Sequence, residues 1–172
     1  MAGESLAAPI VVTALMGAAD FAWADGLRRA HFPAERNLVP AHITLFHHLP
    51  LSALAEVALR LKRLCAGPPP GARLAEVMLL GRGVAYRVES PELMAMREEL
   101  AEAFAGLLSS QDRGRPRFHV TVQNKAEPAE AKALATELRR GFHPRPLAIV
   151  GLAAWHYRGG PWELAMKASF RG

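Results

Sequence analysis

One order of elements occurs twice in this chain, and few folds can accommodate it. In the first round, "ADFAWADGLRRAHF" carries apolar residues at helical spacing and ends in a basic turn, which suits the negative end of a helix. "LVPAHITLFHHL" then reads as a strand. "SALAEVALRLKRLCAG" reads as a helix with Ser52 as its N-cap and Gly67 as its stop, and "ARLAEVMLL" and "VAYRVES" form a hairpin about "GRG". The second round opens on Ser90-Pro91, a serine cap followed by a proline at the first helical position of "ELMAMREELAEAFAGLL". A strand "PRFHVTVQNK", a helix "EPAEAKALATELRRGF" and a hairpin of "LAIVGLAAWHY" with "WELAMKASF" around "RGGP" complete it. A first strand, "PIVVTALM", precedes both rounds. The pattern predicts an α+β domain in two related halves, the first over about residues 9–89 and the second over about 90–172.

The same alignment of rounds superimposes two short motifs, His42-Ile43-Thr44-Leu45 and His119-Val120-Thr121-Val122, both H-x-T-x. Alternate residues of a strand share a face, so His42 projects with Thr44, and His119 with Thr121, while their neighbours enter a core. If the halves pack about an approximate two-fold axis, each presents an imidazole and a hydroxyl to one cleft from opposite sides. Displacement at phosphorus needs this arrangement, with a proton acceptor in line at one end and a donor at the other. Imidazole titrates in the range where one copy can be neutral and the other protonated. A threonine hydroxyl can donate to a non-bridging phosphate oxygen.

Composition sets the outer bounds. With 172 residues, 51% of them hydrophobic, the chain can bury one sizeable core. Its single cysteine, Cys65, cannot form an internal disulfide and reads as a small buried side chain on a helix. A net charge of +5 modestly favours anionic partners. The apolar run from Leu6 to Ala19 is not read as a leader, since no Lys or Arg precedes it, Glu4 stands where positive charge belongs, and Pro9 and Asp20 bracket a β-branched stretch; "PIVVTALM" reads as a strand. No apolar run reaches the roughly 20 residues that span a bilayer, so the expectation is a cytoplasmic protein without membrane contact. Without coiled-coil heptads or a long exposed apolar helix, a monomer is expected.

On "PAHITLFHHLP" and "FHVTVQNK" the chain resembles the two-histidine (2H) phosphoesterase superfamily, and most of all its bacterial branch of 2′-5′ RNA ligases and RNA 2′,3′-cyclic phosphodiesterases. The likeness runs from "PIVVTALM" to "WELAMKASF". It implies the bilobal, pseudo-two-fold LigT-like fold, a single domain over residues 1–172 with two antiparallel sheets flanking a central cleft and helices outside. It implies that His42 protonates the leaving ribose oxygen of a terminal 2′,3′-cyclic phosphate, that His119 activates water, and that Thr44 and Thr121 cradle the phosphate. The product is a 2′-phosphate, and a reversible, ATP-independent 2′-5′ ligation accompanies the activity in some members. The implied partners are RNA ends or a small cyclic nucleotide, with no cofactor.

Strand parity adds candidate substrate-binding residues: Phe46 and His48 alternate with His42, and Gln123 and Lys125 with His119. Trp155 and Tyr157 share a face of the last hairpin and are candidates to stack on a base. Arg115, Arg117 and Arg158 lie in Gly/Pro-rich loops, as contacts for an RNA backbone or as solvated charge. A metal site at His42, His47 and His48 is disfavoured, because parity separates His47 from His42 and no H-E-x-x-H occurs. Two alternatives stay open. One is a phosphodiesterase on a small cyclic nucleotide, such as ADP-ribose 1″,2″-cyclic phosphate, or on a 2′-5′ oligonucleotide; the other is a non-catalytic RNA- or nucleotide-binding module.

Overall fold

The computed structural model describes residues 8–171; Glu4 and Leu6, used above against a leader, lie outside them. The chain runs β1 (Ile10–Met16), α1 (Ala18–His31), β2 (Ile43–Leu49), α2 (Leu54–Cys65), β3 (Arg73–Leu79), β4 (Val84–Glu89), α3 (Pro91–Ala103), β5 (His119–Gln123), α4 (Pro128–Arg140), β6 (Arg145–Pro146), β7 (Ile149–His156) and β8 (Glu163–Ser169). Two four-stranded antiparallel sheets result, ordered β2-β1-β7-β8 and β5-β4-β3-β6. This is the expected α+β architecture. Among the described residues no helix is long and apolar enough to cross a membrane.

The sheets do not follow the division of the sequence near residue 90. β1 lies between β2 and β7, so the C-terminal hairpin completes the sheet that the N-terminal strand begins. The hairpin β3-β4 of the first round receives β5 of the second. Each sheet therefore takes its H-x-T strand from one half and its hairpin from the other. In both, the H-x-T strand lies at one edge.

The helices form for local reasons and are fixed by burial. Ser90 caps α3 as its sequence implies, its Oγ accepting the Leu93 amide at 3.0 Å, with Pro91 in the first turn. The start of α2 differs from the expectation. A 3₁₀ turn over Leu51–Ala53 runs straight into it, Ala53 is already helical, and the exposed Ser52 makes no cap. Val57, Leu61 and Cys65 form the buried stripe of α2, which packs against β7 and β8. Ala131, Leu134 and Ala135 do the same for α4 against β3 and β4. Each buried Val or Leu contributes about 1.5–3 kcal/mol. The "GRG" turn joins β3 to β4 through Gly81, whose φ is +67°. A Cβ on Gly83 would stand 1.9 Å from the Gln123 carbonyl oxygen, so β5 can approach only a glycine there.

Candidate active site

β2 and β5, the outer strands of their sheets, turn toward each other, with Cα atoms of the two strands within 8 Å. Each breaks register one residue past its threonine. Opposite β1, Thr13 faces Thr44 but Val12 faces Phe46, which leaves Leu45 as an extra residue. Opposite β4, Ala85 faces Thr121 but Val84 faces Gln123, which leaves Val122 extra. Such a bulge flips the alternation of every residue beyond it. The H-x-T pairs remain half-buried, whereas Leu45 with Phe46, and Val122 with Gln123, are consecutively buried.

Three of the four parity expectations, Phe46, Gln123 and His48, are corrected. Phe46 does not line the cleft; it is fully buried beneath the Arg97 guanidinium, 4.3 Å from its ring centroid. Gln123 is 5% exposed, and among the described residues its Oε1 has no hydrogen-bond partner. His48 is exposed, outside the cleft. The residues three past each threonine, His47 and Asn124, line it instead, together with Lys125, whose backbone takes φ +59°.

The cleft has a volume of about 540 Å³, and Arg28, His42, His47, Thr121, Lys125 and Tyr157 are among its lining residues. Both motif imidazoles are anchored alike. Nδ1–H of His42 donates to the Pro40 carbonyl at 2.8 Å, and Nδ1–H of His119 to the Arg117 carbonyl at 2.7 Å. A carbonyl oxygen can only accept, so Nδ1 carries the proton and Nε2 is left for chemistry in both rings. Burial lowers the pKa of His42 to about 4; its bond to Pro40 opposes the shift, and the charges of Arg28, His119 and His47 add to it. His42 is therefore neutral in the free cleft at pH 7.

Sequence reasoning missed the side chains that hold the two motifs. On α1, the Asp25 carboxylate accepts the Ala41 amide beside His42 at 3.0 Å, and Arg28 donates to the Thr121 carbonyl at 2.9 Å and to Asn37 Oδ1 at 3.1 Å. One helix thus fastens both. Arg28 is 3% exposed and lies 4.3 Å over the Phe32 ring; burial lowers its pKa, with Asp25 opposing. Arg97 of α3 is the counterpart, also 3% exposed. It donates to the carbonyls of Leu45 at 3.1 Å, Gly114 at 3.3 Å and Asp112 at 2.6 Å, and so holds the bulge of β2. The readable signal was an arginine at a buried spacing of each helix, Arg28 one turn after Ala24 and Arg97 one turn after Leu93.

The aromatic candidates separate. Tyr157 is exposed on the cleft. Trp155 donates Nε1–H to Thr13 Oγ1 at 2.9 Å and lines an adjoining apolar pocket of about 180 Å³. Trp162, expected inside the last strand, precedes β8 and packs against the His42 ring at 4.6 Å between centroids. Arg115, Arg117 and Arg158 pair at the surface with Glu98, Glu76 and Glu163. Among the described residues no three His, Cys, Asp or Glu side chains cluster as a metal site.

Known proteins share this geometry's framework. The family model of the 2′-5′ RNA ligase superfamily matches residues 17–161. The chain belongs to that superfamily. No curated protein matches it in sequence. TT0787 of Thermus thermophilus is similar in structure, with a TM-score of 0.63 at 18% identity over 95% of this chain and 98% of that one. E. coli LigT complexed with 3′-AMP has a TM-score of 0.61 at 16% identity over 96% and 99%. This superfamily member thus has the LigT-like fold.

Proposed function

We propose that the protein is a metal-independent phosphoesterase that opens terminal 2′,3′-cyclic phosphates of RNA to 2′-phosphates. The observation that carries this reading is the pair of imidazoles, each locked through Nδ1 to the carbonyl two residues before it and each followed by a half-buried threonine. Water adds to phosphorus and the P–O3′ bond breaks. One Nε2 takes the proton of the water, and the other gives a proton to O3′. Thr44 and Thr121 hold the non-bridging oxygens, and Arg28, a buried cation in the same cleft, offsets their charge. A 5′-hydroxyl end in place of water gives a 2′-5′ phosphodiester by the same step. The complexes of E. coli LigT with 3′-AMP and with NADP+ support a nucleotide substrate.

The roles follow from the resting charges. His42, neutral in the free cleft, enters as the acceptor, the reverse of the assignment that the resemblance implies. As acceptor, His42 gives a kcat/KM that falls below about pH 4; as donor, it would give one that falls above that pH.

An RNA ending in a 2′,3′-cyclic phosphate, incubated with the protein and EDTA, tests the reading. Turnover to a 2′-phosphate is expected. Tight binding without turnover would favour the binding module instead.

A further inference from the structure

The in-line chemistry uses His42 and His119, yet the histidine that lines the cleft beside His42 is His47. The second bulge of β2, between the pairs Ile10–Leu49 and Val12–Phe46, falls at His47 and His48. Their backbone amides, freed from the ladder, both donate to Asp112, His47 N at 2.9 and 3.0 Å to the two carboxylate oxygens and His48 N at 2.9 Å. Asp112 is 1% exposed. Burial alone would raise its pKa, but the hydrogen bonds from the His47 ring and from the two amides hold it below the usual carboxylate range. Ser109 Oγ also approaches Asp112 Oδ2, at 3.4 Å. The carboxylate is thus well satisfied by backbone before the His47 ring adds its own bond, Nδ1 to Oδ1 at 3.1 Å. That last bond does more to orient the imidazole than to complete the acid.

Its orientation has a use. The side chain of His47 stays 45% exposed on the cleft, and with Nδ1 held by a carboxylate, Nε2 is the nitrogen left for a ligand. A histidine whose Nδ1 is held by a carboxylate presents Nε2 in a fixed direction, where an N–H can donate to an anion. Five residues of strand separate it from His42, roughly 16 Å if fully extended and less across the bulges. His47 lines the same cleft as His42 from further along the strand, so a ligand seated at His42 can bring a flanking group to it. The counterpart position on β5 does not duplicate it, because Asn124 turns its Oδ1 back to accept the Lys125 amide at 2.8 Å. Among the described residues no aspartate or glutamate lines the cleft to compete for the charge.

We propose that His47, positioned by Asp112, forms a second anion subsite that holds the phosphate on the 5′ side of the terminal nucleotide, making the preferred substrate an oligonucleotide or a 5′-phosphorylated nucleotide. The subsite rests on the phosphoesterase reading of the cleft, and its test is built to fail separately. Two nucleoside 2′,3′-cyclic phosphates are compared, one with a 5′-phosphate and one with a 5′-hydroxyl. The wild-type protein should prefer the first by about tenfold in kcat/KM, the size of one charged hydrogen bond. His47→Ala should bring the ratio of the two kcat/KM values close to one, and His47→Lys, which restores a cation, should recover part of the preference. A purely structural role for His47 would leave the ratio unchanged. Calorimetry with nucleoside 2′,5′-bisphosphate against nucleoside 2′-phosphate asks the same question without turnover, so the subsite is decided even if both cyclic phosphates prove inert. Equal affinity of the wild-type protein for the two, or an undiminished gap in His47→Ala, would overturn the proposal.

Discussion

The two sides of the cleft share one plan and differ in how that plan is held. On each, an outer strand carries H-x-T-x, ties its histidine to the carbonyl two residues back, and bulges one residue past the threonine. On each, a buried arginine from a helix that follows a strand of the other sheet bonds a backbone carbonyl of the motif strand. The β5 side has Arg28, whose guanidinium lines the open cleft. The β2 side has Arg97, sealed in the interior over Phe46 and committed to three carbonyls, with Asp112 below the second bulge. The repeat gives each motif strand a histidine anchored through Nδ1, and only on the β2 side does a further histidine, His47, line the cleft beside His42.

The comparison can be broken most directly at the histidines. His42→Ala and His119→Ala should each lower kcat on a terminal cyclic phosphate by about 100- to 10,000-fold, with KM less affected. Steady-state kinetics reads this, and a variant with a wild-type rate would end the equivalence of the two sides.

The arginines come next, and they should behave differently. Arg97→Met leaves the carbonyls of Leu45, Gly114 and Asp112 without their donor in the interior, and should cost about 3 kcal/mol in denaturant unfolding. Arg28→Met leaves two acceptors, the Thr121 carbonyl and Asn37 Oδ1, against the three that Arg97 holds, and beside a cleft from which water can reach them; it should cost about 2 kcal/mol while lowering kcat/KM by about tenfold. Equal stability losses would show that the two anchors are interchangeable. At the threonines, Thr44→Val and Thr121→Val should each lower kcat by about tenfold, since each removes one donor to the phosphate oxygens.

The last test concerns acid. His42 is depressed to about 4 in the folded protein, below the ordinary 6.5, so between those values the unfolded chain binds the proton that the folded chain refuses. The stability contributed by neutral His42 is complete above about pH 6.5 and is lost as pH falls through about 4. The slope in that window is at most about 1.4 kcal/mol per pH unit. His42→Gln should flatten it in pH-dependent unfolding; an unchanged slope would assign the acid sensitivity to another group.

Much of the site was readable because its signals are local. The H-x-T spacing needs only the alternation of a strand over three residues, and His42 with Thr44, and His119 with Thr121, stay half-buried as that alternation requires. Beyond each threonine, alternation failed for Phe46 and Gln123 for one shared reason, the extra residue at Leu45 and at Val122. Two large apolar residues in succession, Leu45-Phe46, were the available warning of a broken period. Ser52 failed differently: its type suits a cap, but the 3₁₀ turn in which it lies had already supplied the geometry.

By itself the sequence determined the main helices and strands, their repeated order and the two H-x-T pairs, because these follow from side-chain period and local caps; it did not show the short strand β6 or the end of α3 at Ala103. Tertiary structure decided which hairpin joins which motif strand and which histidines face the cleft. The arginine that holds the Leu45 bulge lies 52 residues away, and the aspartate that orients His47 lies 65 residues away. Bonds over such separations exist only once the chain has folded, so no local pattern could have announced them.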